Sequence, residues 1–415
     1  MSNIHATIDA VWRIESAKLI AGLARIVRDI GVAEDLAQDA LVAALEQWPE
    51  SGVPDNPGAW LMAAAKHRAI DGFRRSAMRE RKHEELAREL ESKLEPPDLV
   101  SAIDDEVGDD LLRLVFTACH PVLSTEARVA LTLRLLGGLT TEEIARAFLA
   151  PEATVAQRIV RAKRTLAEAR VPFEVPRGPE LAARLSSVLE VIYLIFNEGY
   201  SATAGDDWVR PALCEDALRL GRILAELVPK EEEVHGLVAL MELQTSRLGA
   251  RVSPAGQPVL LLDQNRALWD QLLIHRGLTA LDRAAARGAL GPYGIQAAIA
   301  ACHARARTAA ETDWTRIAAL YDALSQLTPS PVVELNRAVA LSMAYGPAAG
   351  LEVMDALMSE PSLKNYHLLP TARADLLARL GRYGEARAEL ERAASLTRNA
   401  RERELLLARA AGLGG

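Results

Sequence analysis

The chain has 415 residues and a formal net charge of −8 at pH 7, and 50% of its residues are hydrophobic but only 4% aromatic. A chain of this length predicts two to four domains, since one domain holds about 100–200 residues. Because helix-favouring Ala, Leu and Arg dominate and aromatic residues are scarce, we expect an almost purely α-helical protein and not a strand-rich one.

The cysteine content and the lack of a leader indicate a reduced, cytoplasmic setting. Cys119, Cys214 and Cys302 are odd in number and far apart, so they predict no disulfide framework. Two of them stand in Ala-Cys-His triplets, but without a CxxC pair or further close ligands we predict no metal site. The N-terminus lacks the features of a signal peptide, and no run approaches the roughly 18 apolar residues of a membrane span, so no membrane partner is expected.

The charge is distributed unevenly along the chain. Residues 66–88 hold eight Lys or Arg against four acids, and residues 158–170 hold five against one. The segment 89–110 between them is acidic. Two basic patches around an acidic spacer are typical of a protein that contacts nucleic acid at two places and does not coat it.

Residues 140–166, TTEEIARAFLAPEATVAQRIVRAKRTL, predict a short helix, a turn and a second, basic helix. Thr140 or Thr141 is suited to cap the first helix, and Pro151 pre-sets the entry to the second, expected from about 153 to 166. One apolar stripe along the second helix consists of Val155, Ile159, Ala162 and Leu166.

The opposite face of this second helix is polar and basic. Its candidate DNA-reading residues are Thr154, Gln157, Arg158, Arg161 and Arg164. Arg grips guanine and Gln grips adenine in bidentate fashion, so this face suits a DNA major groove. The alternative is a solvated basic face on an ordinary helical hairpin.

Residues 33–48, AEDLAQDALVAALEQW, predict an amphipathic helix with an additional, mostly acidic stripe. That stripe consists of Asp35, Gln38, Asp39, Val42 and Glu46. In an isolated helix it would simply face solvent. A Pro/Gly/Asn-rich loop then leads into a helix from about Pro57, in which the side chains of Trp60, Leu61, Ala64, Ile70 and Phe73 are expected to pack inward.

Taken in order and spacing, AEDLAQDALVAALEQW, NPGAWLMAAAKHRAIDGFRR and LTTEEIARAFLAPEATVAQRIVRAKRTL resemble conserved regions 2 and 4 of bacterial RNA polymerase sigma factors. The resemblance is to the small extracytoplasmic-function class and covers about residues 8–75 and 110–170. Three ordered motifs are more specific than any one of them. The resemblance implies contacts with the clamp helices and flap of core RNA polymerase and with promoter DNA.

The resemblance implies a role for each matching position. Residues implied to meet the clamp helices are Asp35, Gln38, Asp39, Leu41 and Val42. Residues implied to line the −10 element are Asn56, Lys66, His67, Arg68, Arg74 and Arg75, with the loop 52–56 receiving a base turned out of the DNA. Residues implied to read the −35 element are Thr154, Gln157, Arg158, Arg161 and Arg164.

Three positions depart from the family pattern. Family members often have Gly-Thr where this chain has Ala153-Thr154, and Ser-Arg where it has Gln157-Arg158. An Asn often stands at the position of His67. These differences leave open which −35 sequence is read and what His67 contacts.

The remainder of the chain, after a Pro-rich joint near 171–180, predicts helix after helix. Residues 378–393 resemble part of a tetratricopeptide (TPR) repeat, although the 38-residue spacing from Tyr345 to Tyr383 exceeds the usual length of about 34. Such hairpins stack into a groove for a protein or peptide partner, and a purely structural bundle is the alternative. The loop 197–208 is either a capped connection or a site.

The stretches LTLRLLGGLTTEEIARAF, IYLIFNEGY and ELNRAVAL resemble a sigma-factor subfamily that carries a C-terminal, TPR-like helical extension. That resemblance extends over nearly the whole chain and implies regulation by the extension. The predicted organisation is region 2 at 1–76, an acidic linker at 77–109, region 4 at 110–172, a helical extension at 173–290 and TPR-like repeats at 291–415.

We find no nucleophile–base pair, phosphate loop or HExxH helix in the sequence, so we predict no catalytic residues and no cofactor. Two other functions fit parts of the chain. One is a stand-alone helix-turn-helix regulator with a TPR-like sensor, which has no reason to carry residues 33–75. The other is a TPR-like scaffold with a degenerate sigma remnant.

Overall fold

The computed structural model describes residues 2–77, 102–202, 204–205, 208–254, 256–286 and 288–413. Helices account for nearly all of its regular structure, which confirms the predicted all-α class. The chain forms two compact units, residues 1–192 and 193–415. The finer five-part division stays a prediction.

The first unit is built from helices, two of which begin at a capping side chain described below. They are α1 (Ser2–Val27), α2 (Ile30–Ser51), α3 (Pro57–Ala77), α4 (Ala102–Ala118), α5 (Thr125–Leu135), α6 (Thr141–Ala147), α7 (Glu152–Glu168) and the first part of α8 (Pro179–Tyr200). The side chain of Asp29 accepts a hydrogen bond from the backbone of Val32 at 3.0 Å and caps α2. Ser124 caps α5 in the same way through Ala127 at 3.4 Å.

Small residues let α1, α2 and α3 pack closely around one core. Ala33, Ala37 and Ala40 of α2 are fully buried, and Trp48 packs edge-on against Trp60 with ring centroids 5.3 Å apart. Leu61 and Ile70 of α3 are buried as predicted. Trp60 and Ala64 are half-buried, and the neighbouring Ala65 and Ala69 are buried as well. The side chain of Phe73 lies outside the described residues.

The beginning of α8 packs within the first unit. Arg184 donates a hydrogen bond to the carbonyl of Phe116 at 2.7 Å, and the Ser187 hydroxyl donates to the carbonyl of Cys119 at 2.7 Å. Glu190 pairs with Arg128 at 3.1 Å. The N-terminal turns of α8 therefore stabilise the fold of residues 1–192.

The second unit continues with helices that each pack on the next along the chain. They are α9 (Pro211–Leu227), α10 (Glu232–Thr245), α11 (Gln271–Ala285), α12 (Pro292–Arg305), α13 (Trp314–Leu327), α14 (Pro331–Tyr345), α15 (Pro347–Leu357), α16 (Leu368–Arg379), α17 (Tyr383–Leu396) and α18 (Ala400–Gly412). Two-residue strands β1 (Ala204–Gly205) and β2 (Arg398–Asn399) pair in parallel, a small exception to the all-α prediction.

Consecutive helical hairpins give the C-terminal part its TPR-like character. Tight turns at Gly346 (φ 100°) and Gly381 (φ 75°) join α14 to α15 and α16 to α17. Ala386 of α17 is fully buried in the core that α14 to α18 share. Tyr345 ends α14 whereas Tyr383 begins α17, so the two tyrosines that suggested a repeat do not occupy equivalent positions.

No helix within the described ranges is long and apolar enough to cross a membrane. The three cysteines are all buried and unpaired with one another. Burial raises the pKa of Cys119 to about 11 and that of Cys214 to about 12, and it also raises the pKa of Cys302.

We expect the native protein to resist thiol reagents, because its cysteines are both inaccessible and protonated at neutral pH. Titration of the native protein with a chromogenic disulfide at pH 8 should release no chromophore. After denaturant is added, the released chromophore should correspond to three thiols per chain. Rapid labelling of Cys119 in the native protein would contradict this prediction.

Candidate nucleic-acid interface

The helix-turn-helix predicted at 140–166 is present as α6, a turn and α7. Thr140 is the cap: its hydroxyl accepts from the Glu143 amide at 3.1 Å, and the Glu143 carboxylate accepts from the Thr140 amide at 2.8 Å. Leu149, with φ 48°, turns the chain toward α7. The apolar stripe of α7 is buried, as predicted, against α5 and α6. This packing fixes which face of α7 points outward.

The outward face of α7 carries the predicted −35 residues. Thr154, Gln157 and Arg161 are exposed and Arg158 is half-buried, and all four line one groove with the start of α5. Arg164 is exposed and pairs with Glu168 of the same helix at 2.6 Å. The structure therefore brings together four of the five predicted residues, and the fifth continues the same face one turn on.

A carboxylate lies at the edge of this groove. The backbone amide at the start of α5 and the Ser124 hydroxyl hold the pKa of Glu126 below its usual range and outweigh the opposing effect of burial, and the guanidiniums of Arg158 and Arg128 lower it further. Glu126 is therefore ionised at neutral pH. Its negative charge repels anions from this edge of the groove.

A second candidate surface runs along α2. Asp35, Asp39 and Val42 are exposed, while Gln38 and Leu41 are half-buried. Apolar side chains also face solvent here, since Val32 is 43% and Leu45 37% exposed. Acidic and apolar groups side by side on one helix are suited to contact a protein partner.

The start of α3 shows how Asn56 is used. Its side-chain oxygen accepts a hydrogen bond from the Ala59 amide at 3.0 Å, so it supports the first turn of the helix. Lys66 is half-buried and His67 exposed. Arg68 pairs with Asp39 of α2 at 3.2 Å, which joins a predicted −10 residue to a predicted polymerase residue. The side chains of Arg74 and Arg75 lie outside the described residues.

Sequence reasoning missed Glu34, the residue that joins the two candidate surfaces. Only 3% of Glu34 is exposed, and its carboxylate contacts Arg134 of α5 at 2.6 Å and Lys163 of α7. Burial opposes its ionisation, but the ammonium and guanidinium outweigh burial and lower the pKa of Glu34 below its ordinary value. The available signal was periodicity: position 34 lies on the stripe of Ala37 and Ala44, where an acid is out of place.

Two further ion pairs accompany Glu34 within the first unit. Arg13 of α1 pairs with Glu143 of α6 at 2.8 Å, and Arg25 pairs with the buried Asp110 of α4 at 2.8 Å. Burial raises the pKa of Asp110 despite its two arginine neighbours, Arg25 and Arg113. Ion pairs thus join α1 and α2 to α4–α7 in addition to the packing of α1 on α4.

The loop after α8 is held by arginines. Glu198 pairs with Arg210, and Arg251 lies over the Tyr200 ring at 3.8 Å while donating to the Tyr200 carbonyl at 3.0 Å. Burial lowers the pKa of Arg251. These contacts fit the alternative of a structural connection. Among the described side chains, no group of three or more His, Cys, Asp or Glu is arranged to hold a metal ion.

Family comparisons match three parts of the chain. Residues 15–79 match sigma-70 region 2, and residues 113–166 match sigma-70 region 4. Residues 184–285 match a family of unknown function, DUF6596. The fold and these two matched regions define the chain as a sigma factor of the sigma-70 family.

Individual relatives refine this class. An uncharacterized protein of Rhizobium meliloti, R00370, is 43% identical over 92% of this chain and 90% of its own length. The probable ECF RNA polymerase sigma factor SigI of Mycobacterium tuberculosis is 30% identical over 41% of this chain and 58% of its own. The ECF RNA polymerase sigma factor SigC of that organism is 29% identical over 39% and 78%. The chain belongs to the extracytoplasmic-function (ECF) sigma factors, with a C-terminal helical extension.

A comparison of folds gives yeast Tom70, with a TM-score of 0.38 and 10% identity over 92% of this chain and 63% of Tom70. A score this low does not define a common fold. The TPR-like description of the extension therefore depends on its own helical hairpins.

Proposed function

We propose that this protein binds core RNA polymerase in the cytoplasm, recognises −35 and −10 promoter elements and initiates transcription of a specific set of genes. The observation that carries the proposal is the presence, in one unit, of an exposed Gln/Arg face on α7 and an exposed acidic and apolar face on α2. A stand-alone regulator needs only the first of these faces. No chemistry of its own is assigned to the chain.

Region 4 would read the −35 element through α7. Gln157, Arg158 and Arg161 project from a helix whose opposite side is anchored in the core, which supports a rigid presentation to the major groove. Thr154 and Arg164 lie at either end of the same face and are suited to phosphate contacts. Each bidentate side chain–base pair contributes about 1–3 kcal/mol of discrimination.

Region 2 would meet the polymerase clamp helices through Asp35, Gln38, Asp39, Leu41 and Val42. The exposed Val32 and Leu45 extend this surface with apolar area that water would otherwise cover. Region 4 would meet the flap. Because polymerase anchors the protein, the DNA contacts do not have to supply all of the binding free energy, which is consistent with a net charge of −8.

The −10 element would lie along α3, near Lys66, His67 and Arg68. Turning a base out of the duplex costs a few kcal/mol, and contacts anchored by polymerase can offset that cost. Asn56 would act by capping α3 and so fixing the loop 52–56 next to the DNA, in agreement with its hydrogen bond to Ala59. Free protein is then expected to bind duplex DNA poorly.

The C-terminal extension would regulate this activity, by folding back on the sigma regions or by binding a protein or peptide partner. A tenfold change in activity needs only about 1.4 kcal/mol of bias between two states. Stacked hairpins such as α14–α17 offer the extended surface that such a partner requires.

We predict that the double substitution Arg158→Ala and Arg161→Ala lowers transcription from a −35-dependent promoter by about tenfold or more, since two base or phosphate contacts are lost. The measurement is in vitro transcription with core polymerase on a promoter selected from a random library. Arg177→Ala serves as the matched control, because it removes an exposed cation that lies outside α7. Unchanged output from the double variant would favour the scaffold alternative.

We predict that Asp35→Lys together with Val42→Asp weakens binding to core polymerase by about tenfold or more, because both charge and apolar contact are lost from α2. Affinity is measured with purified core enzyme in the absence of DNA. Asp9→Lys reverses an exposed charge on α1, outside the proposed surface of α2, and should bind normally. Promoter binding by the native protein without any polymerase would instead support a stand-alone regulator.

We predict that a chain ending at Ile192 differs from the full-length protein in the level of transcription, because the proposed regulatory element has been removed. The cut follows Glu190, so the pairing of Arg128 and the contacts of Arg184 and Ser187 are kept. Circular dichroism checks that the shortened chain is folded. Equal activity of the two chains under all conditions would refute the regulatory role.

A further inference from the structure

A polar groove crosses α10 in the extension. Buried residues of α10, among them Glu242, form its floor, and α9 and α11 form its two walls. Its volume of about 400 Å³ falls within the range of roughly 300–1,000 Å³ that is typical of small-molecule sites. All of its lining residues belong to the second unit, so none of them is a residue proposed to contact DNA or polymerase. We call it the α10 groove.

Two glycines bring the walls of the α10 groove close to its floor. A Cβ added to Gly221 of α9 would come within 2.6 Å of a side chain of α10, and one added to Gly277 of α11 within 2.7 Å. Such distances exclude a larger residue unless the packing changes. Arg222 and Arg276 are the immediate neighbours of these glycines, so the close packing of the helices brings both guanidiniums to the floor of the groove.

Glu242 binds both guanidiniums but does not balance their charge. It is 2% exposed, and its Oε1 atom lies 2.8 Å from Arg222 Nη2 and 3.4 Å from Arg276 Nε. Its Oε2 atom is also buried and has no hydrogen-bond partner in the described part of the chain. One carboxylate therefore pairs with two cations, which leaves a positive charge at the floor of the groove. The Arg222 and Arg276 side chains are 33% and 46% exposed, so both guanidiniums also face the opening.

Arg283 adds a third cation on the wall formed by α11. It lies about two helical turns after Arg276, on the same face of the helix. Its side chain is exposed, and no carboxylate of the described residues pairs with it. The lining holds three arginines against two glutamates, so the α10 groove has a net positive charge before either of its two histidines is protonated.

We propose that the α10 groove binds a small phosphorylated compound, whose phosphate is held by Arg276 and Arg283 of one wall and Arg222 of the other. Guanidinium groups match the geometry of phosphate and bind it in bidentate fashion. A phosphate ester has three terminal oxygens and a charge of about −1.5 to −2 at neutral pH. Three guanidiniums therefore suit a phosphate better than a carboxylate, which carries a single charge.

The rest of the lining favours a small compound over a nucleic acid. Ala225, Val238 and Ala280 supply apolar surface for the part of the compound that carries the phosphate. Glu226 adds a negative charge to the wall formed by α9, which disfavours the several neighbouring phosphates of a nucleic-acid backbone. The site goes beyond the proposed function and does not depend on it, because neither polymerase nor promoter takes part in it.

The test is isothermal titration calorimetry of the full-length protein at low salt with inorganic phosphate, phenyl phosphate and ribose 5-phosphate. At least one of the two esters should bind about tenfold more tightly than inorganic phosphate, because it also contacts the apolar lining. Arg283→Gln should weaken ester binding by about tenfold or more, since charge-assisted hydrogen bonds to the phosphate are lost. Because this side chain is exposed, the variant should unfold at the same temperature as the unsubstituted protein.

Two further variants distinguish the α10 groove from general charge attraction. Glu226→Gln removes the repelling charge and should tighten ester binding by about two- to threefold. Arg305→Gln removes an exposed cation at the end of α12 and is the matched control, which should bind the esters normally. Equal ester affinity of Arg283→Gln and the unsubstituted protein would overturn the proposal, as would esters that bind no more tightly than inorganic phosphate. The titration contains neither polymerase nor DNA, so a failure here leaves the sigma function untouched, and the reverse also holds.

Discussion

The carboxylate of Glu34 lies in a water-poor interior between two cations that reach it from α5 and α7. Removing one partner of such a buried pair typically costs about 3–5 kcal/mol, because the remaining charge is left without compensation. This contact joins α2 to α5 and to α7 of the helix-turn-helix. A buried ion pair of this kind favours one arrangement of the two groups of helices, because either charge alone would be left without compensation.

The chain is acidic overall, with a net charge of −8, although α7 exposes a polar and basic face. Helices α3 and α7 each carry several cations, and some of these are paired within the protein: Arg68 with Asp39, Arg164 with Glu168 and Lys163 with Glu34. Those contacts lower the free protein's affinity for phosphate. Binding to a large partner can both exchange them and supply the missing affinity, so the proposed order is polymerase first and promoter second.

The extension adds more than 200 residues in which each helix packs on the next along the chain, while the pairing of β1 with β2 joins residues near 204 to residues near 398. Stacked helical hairpins commonly present a surface for a protein or peptide partner. The first helix of the extension, α8, belongs to both units, because residues 179–192 pack among the sigma helices and the remainder continues into the extension. The predicted boundary near 173 falls before this helix, since a Pro-rich joint in sequence marks where a helix starts and not where a core ends.

By itself, the sequence determined what depends on neighbours along the chain. Periodicity gave the helices, the buried stripe of α7 and its outward Gln/Arg face, and ordered motifs gave the sigma resemblance. The roles of these exposed residues stay predictions, because exposure is compatible with DNA, polymerase or solvent. Only the tertiary structure decided that Asn56 caps α3, that Arg68 meets Asp39 and that Glu34 is buried. A charged side chain has no local signal for a partner 100 residues away, and its partner is fixed only when two groups of helices pack and exclude water between them.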